Sequence, residues 1–377
     1  MTAGALFVSG TLGVGGSETK IVNIANALAR SGYPVAIAYL NPPDALLERI
    51  DPAVPAIHLE RRGKFSPGSL RKLRALVDSN YRTVFSVNFY PLLYVVPTVK
   101  RLPAGQARAV CLVNTTDFVD GQWILGRFYA PFLRRCDLLV YGCRAQQSLW
   151  AKKYRLPIER STYIYNGVDT SKFSADELDN EGLHFRAKFD IPDDAVVIGS
   201  VGRFAPEKNF ELLIEVQKNL HDSGRNTYLV LVGEGQEKGA LQALAIEKGL
   251  TGKTIFPGIL KDPRPALGAM DIFVLPSRAV ETFSNAALEA MSMARPVVLS
   301  NIGGAAEMVE DGKSGFLFEV GDRVALTDLL VKLYDSRSER ERVGTAARQR
   351  VLDEFQSTGM VDRYKTLIDS ANDPDVA

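Results

Sequence analysis

Residues 272 to 300 read IFVLPSRAVETFSNAALEAMSMARPVVLS, and this stretch decides the fold. Ile272 to Leu275 is a short apolar run that fits a buried strand, and Pro296 to Ser300 fits a second. The segment between them begins with small polar residues and continues as a helix, so the whole is a strand, a helix and a strand, the repeating unit of parallel α/β sheets. Glu281 sits in the loop after the first strand, and Glu289 sits about one turn into the helix. Thr282, Ser284 and Asn285 lie at the helix start, where unpaired backbone N–H groups and the helix dipole form a seat for an anion. Two carboxylates beside such a seat can grip hydroxyls on both sides of a bound phosphate, which is what a nucleotide-linked sugar offers. The plainer alternative is that glutamates near a helix start simply suit the dipole.

The surroundings favour the ligand. After Glu281-x7-Glu289 come Ala290-Met291, the strand, the turn Gly303-Gly304-Ala305-Ala306-Glu307, then Gly312 and Gly315-Phe316-Leu317. In this order they resemble the donor-site signature of retaining GT-B glycosyltransferases of family 4, also called group 1. The resemblance implies an α/β protein of two Rossmann-like, doubly wound parallel-sheet domains facing across a cleft. It covers nearly the whole chain and is strongest from Val196 to Phe318.

A second motif lies upstream. Val196 to Val201 reads as a strand that runs into Gly202-Arg203-Phe204-Ala205-Pro206-Glu207-Lys208-Asn209 and then the helix Phe210 to Leu220. In open α/β sheets ligands bind at the carboxyl ends of the strands, where Arg203 and Lys208 fall. An arginine fork and a lysine point charge there can neutralise a diphosphate, although exposed loop cations are ordinarily just solvated. The loop resembles the family's G-R-x-x-x-E-K-x segment. Further strands at Tyr228 to Val232 and Thr254 to Ile259 end in Gly233-Glu234-Gly235 and Gly258-Ile259-Leu260. The second of these is where family members hold the base.

The first half opens on the strand Ala5 to Ser9, the glycine-rich loop Gly10 to Gly16 and a helix from about Glu18 to Arg30, with Ser17 as the expected cap and Gly32 as the stop. The glycines do not form G-x-G-x-x-G, and the next strand, Pro34 to Leu40, ends without an acidic ribose ligand, so an NAD oxidoreductase is the weakest reading. Gly15, Gly16 and Glu18 match the family's GG-x-E opening, which implies a close approach to the donor's diphosphate. Ala109 to Val113 is a strand that ends in Asn114-Thr115-Thr116-Asp117. Many family members place a histidine there that reaches the donor sugar. Asn114 can hydrogen-bond but does not titrate near neutral pH. Asn166-Gly167-Val168-Asp169 is similar to the family's domain-junction segment. Domain bounds are expected at 1–170 and 171–355, with 356–377 a last helix that returns to the first domain, plus a tail.

At 377 residues, 46% hydrophobic and 24% charged, the chain suits two globular domains. Cys111, Cys136 and Cys143 have no framework spacing and read as reduced thiols, and the N-terminus lacks the basic start of a signal peptide, so a cytoplasmic protein is expected. From Met1 to Gly167 there are 21 Lys and Arg against 10 Asp and Glu, while the remainder carries 24 against 34. The basic half includes Arg61-Arg62-Gly63-Lys64, a helix Ser69 to Asn80 bearing Arg71, Lys72 and Arg74, and the pairs Lys100-Arg101, Arg134-Arg135 and Lys152-Lys153. Beside the apolar run Tyr90 to Val99, these charges fit either an anionic membrane surface, giving a peripheral location on the inner face, or a solvated basic face over a core helix. No nucleic-acid motif is present. No acidic or histidine cluster has ligand spacing, and Asp373-Pro374-Asp375 falls in a polar tail, so no metal is expected.

Together these readings point to a retaining, metal-independent glycosyltransferase with a nucleotide sugar as co-substrate and no cofactor. UDP-sugars are favoured by family frequency and GDP-mannose is the other candidate; the acceptor is a glycan or lipid-linked precursor. By resemblance Arg203 and Lys208 stabilise the leaving diphosphate, Glu281 holds donor hydroxyls, Glu289 holds the ribose diol, and backbone near Thr282, Phe283 and Ser284 meets the phosphates. Asn166, Gly202, Gly233, Ile259 and Leu260 complete the donor site, with Glu18 and Asn114 as further sugar or acceptor contacts. A 2-epimerase-like isomerase or a non-catalytic nucleotide-sugar-binding protein are the alternatives.

Overall fold

The computed structural model describes residues 4–13, 15–63, 66–115, 123–174 and 179–370. Val14 of the glycine-rich loop, Lys64, Thr116, Asp117, part of the polar link Ser171 to Asn180, and the Asp373-Pro374-Asp375 tail lie outside these residues. The chain forms two compact units, one from Met1–Tyr165 with Thr358–Ala377 and one from Asn166–Ser357.

Among the described residues the first unit carries seven parallel strands. These are β1 (Gly4–Ser9), β2 (Val35–Tyr39), β3 (Ala56–His58), β4 (Tyr81–Val87), β5 (Arg108–Val113), β6 (Leu138–Tyr141) and β7 (Ser161–Tyr163). They lie in the order β3-β2-β1-β4-β5-β6-β7, so the sheet is wound both ways from β1 and β4. Helices α1 (Gly16–Arg30), α2 (Pro67–Asn80), α3 (Leu92–Val99), α4 (Trp123–Leu133) and α5 (Arg144–Tyr154) connect them. Central strands are buried on both faces, which is why β1 and β5 read as continuous apolar runs rather than as alternation. Phe7 on β1 stacks on Phe85 of β4 at 4.6 Å between ring centres. Tyr90 to Val99 settles as the core alternative: Leu92, Tyr94, Val95, Val96 and Val99 are all buried beneath the sheet.

Ser17 does not cap α1 as expected. Gly15 holds the N-cap position in an extended conformation with no side-chain cap bond, and Ser17 falls inside the first turn. The three cysteines are buried thiols. Burial pushes Cys136 up to about 12, helped by Asp137 and opposed by Lys100, so it stays protonated at ordinary pH.

Among the described residues the second unit has six parallel strands: β8 (Val196–Val201), β9 (Thr227–Val232), β10 (Thr254–Gly258), β11 (Ile272–Leu275), β12 (Val297–Ser300) and β13 (Phe316–Phe318), in the order β10-β9-β8-β11-β12-β13. Its helices are α6 (Asp179–Lys188), α7 (Phe210–Asp222), α8 (Lys238–Glu247), α9 (Arg264–Ala269), α10 (Asn285–Ser292), α11 (Ala305–Met308), α12 (Arg323–Asp335) and α13 (Arg337–Glu354). The order reverses between β8 and β11, so the loops after these two strands diverge at a topological switch point, the place where such sheets bind ligands.

The closing helix α14 (Ser357–Asp369) belongs to the first unit. Met360, Val361, Tyr364, Leu367 and Ile368 enter its core, and Tyr33 donates to Asp369 Oδ2 at 2.7 Å.

Candidate functional site

In the second unit the loops after β8, β9 and β10 are stacked by their backbones. Gly202 N donates to Val232 O at 2.9 Å, Phe204 N to Glu234 O at 2.8 Å, and Gly233 N to Gly258 O at 3.0 Å. Gly233 has φ +142, and a Cβ there would overlap the Gly202 carbonyl oxygen. Glycine is therefore required by both conformation and approach distance. This backbone layer fixes where the Gly202–Asn209 loop can run.

The loop then delivers its two cations differently. Arg203 is 73% exposed and pairs with Glu207 at 2.6 Å. Lys208 turns inward, 22% exposed, and its Nζ donates to Glu281 Oε2 at 2.5 Å. Ser277 Oγ donates to the same carboxylate oxygen at 3.1 Å. Ser277 is fully buried, and its carbonyl accepts from Ser300 Oγ at 2.5 Å. A further tie, Arg278 N to Glu207 O at 2.9 Å, joins the two loops by backbone. Glu281 is thus aimed by β8, β11 and β12 together.

Val280, the residue before Glu281, has φ +61. A β-branched side chain is strained in the left-handed region, and such strain persists only where the surroundings impose it. One such constraint is visible: Gly304 N donates to Thr282 O at 2.7 Å, and a Cβ on Gly303, φ +59, would overlap Glu281 O. The glycine pair of the Gly303-Gly304 turn therefore lets one backbone lie directly on another.

Helix α10 starts at Asn285, four residues after Glu281. Ser284 caps it, accepting from Ala287 N at 3.3 Å. Asn166 Nδ2 donates to Phe283 O at 2.7 Å, which orients the peptide before the cap. Glu289 is half-buried on α10. Burial pushes its carboxyl up to about 7; nearby Lys172 opposes the shift and Asp262 adds to it. Asp262 is itself held by Arg264, which also donates to Lys172 O at 3.3 Å. Ile259, at the end of β10, is 73% exposed, and Leu260 is half-buried beside it.

The structure therefore brings Lys208 and Glu281 into contact, places Arg203 on the same loop, and sets Glu289 one turn into the helix that the Glu281 loop opens. Ser277, Lys172 and Asp262 were not singled out from sequence. Ser277 carries no motif, and the other two meet Glu289 only through tertiary contact. No group of three metal-ligating side chains occurs among the described residues.

In the first unit, Gly15 precedes α1, and a Cβ on it would overlap the Glu18 carboxylate, which folds back over it. Burial raises the Glu18 carboxyl, partly offset by its own backbone N–H. Lys20, two residues on, is pushed down to about 8 by burial. Asn114 follows β5; its N–H donates to Asn88 Oδ1 at 3.2 Å, while its buried Nδ2 has no hydrogen-bond partner among the described residues.

Residues 183–350 match the family model for glycosyl transferases group 1, and residues 14–172 match that for glycosyltransferase family 4. The lipopolysaccharide core biosynthesis glycosyltransferase LpsE of Rhizobium meliloti is 33% identical over 185 residues, 49% of this chain and 53% of that protein. With the capsular polysaccharide biosynthesis glycosyltransferase CapM of Staphylococcus aureus, 31% identical, the match spans 51% of this chain and 50% of CapM. The chain thus spans about half the length of these relatives. The GDP-mannose-dependent alpha-(1-6)-phosphatidylinositol monomannoside mannosyltransferase of Mycolicibacterium smegmatis is 28% identical over 298 residues, 76% of each chain. Among solved structures, Anabaena Alr3699/HepE in complex with UDP superposes with a TM-score of 0.86 at 19% identity, covering 97% of this chain and 99% of that one. WaaG, involved in lipopolysaccharide biosynthesis, superposes at 0.73, also at 19% identity, over 97% and 99%.

Proposed function

The chain belongs to the group 1, family 4 glycosyltransferases with the GT-B fold, and from this we propose that it moves a sugar from a nucleoside diphosphate to a glycan or lipid-linked acceptor in polysaccharide or glycoconjugate synthesis. The single observation that carries the reading is the Lys208–Glu281 pair at the switch point beside the capped start of α10. A cation there meets a diphosphate, and a carboxylate there meets sugar hydroxyls.

In this reading the bond between the sugar's anomeric carbon and the diphosphate oxygen breaks as the acceptor oxygen attacks from the same face, so the configuration is retained. The acceptor's proton passes to the departing phosphate oxygen, and no metal takes part. Negative charge grows on the diphosphate, where Lys208 and Arg203 stabilise it; preorganised charge of this kind has its largest effect at that moment. The α10 N-terminus and the backbone of Thr282 to Ser284 supply N–H groups to the phosphates. Glu281 holds donor sugar hydroxyls and Glu289 the ribose diol. Gly202 and Gly233 permit close approach, Ile259 and Leu260 cover the base, and Asn166 sets the Phe283 peptide. Gly15, Gly16 and Glu18 contribute to donor or acceptor contacts, a role that rests on the sequence motif, and Asn114 is a further contact at the place where many family members have a histidine.

UDP is the favoured nucleotide, supported by the UDP complex of the similar Alr3699/HepE, with GDP as the competitor given the mannosyltransferase relative. The acceptor reading, at an inner membrane face, rests on the basic first unit. A thermal-shift screen of UDP- and GDP-linked sugars tests the donor: a ligand at about a hundred times its Kd adds about 2.7 kcal/mol. The absence of stabilisation by any of them would count against the assignment.

A further inference from the structure

We propose that Arg61 binds an oxyanion carried by the acceptor, a phosphate or a carboxylate, an inference that rests on the glycosyltransferase reading above. The residue follows β3, and the carboxyl ends of parallel strands are where open α/β sheets meet their ligands. In sequence it is one charge of the basic run Arg61-Arg62-Gly63-Lys64. In the fold it differs from its neighbour: Arg62 is exposed, whereas Arg61 is half-buried.

Backbone fixes its place. Arg61 N donates to Leu40 O at 3.1 Å, Asn41 N to Gly10 O at 3.0 Å, and Leu12 N to Pro43 O at 2.9 Å. The loops after β1, β2 and β3 are thereby tied together. Glu60 has φ +50, a left-handed conformation that residues with a Cβ seldom take and that persists only where the surroundings impose it. At this turn the adjacent side chains part company. Glu60 reaches solvent and pairs with Lys72 at 2.8 Å, while the Arg61 guanidinium lies over the ring of Tyr90, 4.8 Å from its centre.

Neutral groups hold that guanidinium. With the Asn41 amide oxygen turned toward it, Nη2 and Nε donate to this oxygen at 2.7 and 2.9 Å, and the amide nitrogen donates to Leu40 O at 2.8 Å. Nη1 donates to the Tyr90 hydroxyl, and Tyr90 in turn packs on the core and against Tyr94. An arginine has five N–H donors; three are used here, so two remain for a ligand. Among the described residues no carboxylate pairs with Arg61. Glu60 is taken by Lys72, and Asp44, three residues after Asn41, accepts from the Tyr39 hydroxyl at 3.4 Å. A cation partly withdrawn from water, locked in orientation and without a counter-charge, is matched by an anion that accepts from a planar fork. A neutral sugar hydroxyl would need only the amide or the phenol.

The test is calorimetric titration of the full chain, at saturating UDP so that the donor site is filled, with glucose 1-phosphate, glucuronate and methyl glucoside. Binding of at least one anionic probe and none of the methyl glucoside is expected; whichever anion binds tighter names the group. Arg61→Gln should weaken the anion about ten- to a hundred-fold, Arg61→Lys should lose part of that because it keeps the charge without the fork, and Arg62→Ala should leave affinity nearly unchanged. Circular dichroism of the variants reports the fold, and Arg61→Lys serves if Arg61→Gln does not fold. A normal UDP thermal shift with no anion bound, with methyl glucoside bound as tightly, or with both Arg61 variants binding the anion as the parent does, overturns this site and leaves the donor reading intact. Loss of the UDP shift in the parent would instead count against the glycosyltransferase reading on which the site rests.

Discussion

Lys208 Nζ donates to Glu281 Oε2 across 2.5 Å, closing a contact between residues 73 apart in sequence. Both side chains are largely withdrawn from water, at 22% and 14% exposure. Truncating either partner leaves the other's charge without its match in a confined place, which costs more than the pair contributes. Lys208→Met and Glu281→Gln should each destabilise, and the double variant should lose less than their sum, with a coupling of about 1–2 kcal/mol. Urea unfolding of the four proteins measures this. Strict additivity would mean that the pair is not formed in solution.

Arg203 behaves in the opposite way. Its guanidinium is exposed and its pairing with Glu207 lies at the surface, so Arg203→Ala should change stability by less than about 0.5 kcal/mol. Turnover should still fall by about 10²-fold, since the side chain acts on charge that develops during transfer. Steady-state kinetics with the accepted donor decide it.

Glu289 gives a pH signature. Its carboxyl is raised to about 7 from an ordinary 4.5, so between those values the folded protein holds a proton that the unfolded chain has lost. Stability from this group is accordingly greatest at low pH and falls as pH rises toward and past about 7. Binding runs the other way: only the carboxylate can accept from both ribose hydroxyls, so nucleotide affinity should rise through the same window. Glu289→Gln should flatten both profiles, as read by melting temperature and calorimetric titration of UDP between pH 5 and 8.

Two glycines in left-handed backbone should respond unequally to alanine. Gly224 has φ +81 with open space around its would-be Cβ, so Gly224→Ala costs only the conformational term, about 1–2 kcal/mol. Gly303→Ala adds a collision with Glu281 O and should cost more, while also weakening donor binding. Equal melting temperatures for the two variants would show that the Gly303 turn does not brace Glu281.

Much of this was legible because it is local. Val196 to Phe210 and Ile272 to Ser300 carry strand, loop and helix in sequence, and burial on both faces makes their strands continuous apolar runs. Three-residue edge strands such as Ala56–His58 and Ser161–Tyr163 show no period to read. Helix α6, which starts at the end of the polar link Ser171 to Asn180, was not read from sequence. Its sequence DNEGLHFRAK has no apolar stripe, and it is held by tertiary contacts: Arg186 donates to Asp271 at 2.7 Å and to Ala269 O at 3.0 Å, and Gly182 lies against the Gly268 backbone. In the site, the residue types of Lys208, Glu281 and Glu289 were readable from motif order. Ser277 and the Lys172 and Asp262 pair beside Glu289 were not, since only folding brings them there.

The most direct test of the account is calorimetric titration of UDP and of the stabilising UDP- or GDP-sugar against the parent, Lys208→Ala and Glu281→Ala. Lys208→Ala should weaken nucleotide and nucleotide sugar alike, because both carry the diphosphate. Glu281→Ala should weaken the nucleotide sugar and leave the free nucleotide close to its parent affinity. Unchanged affinities in both variants would contradict the placement of these two side chains on one bound donor.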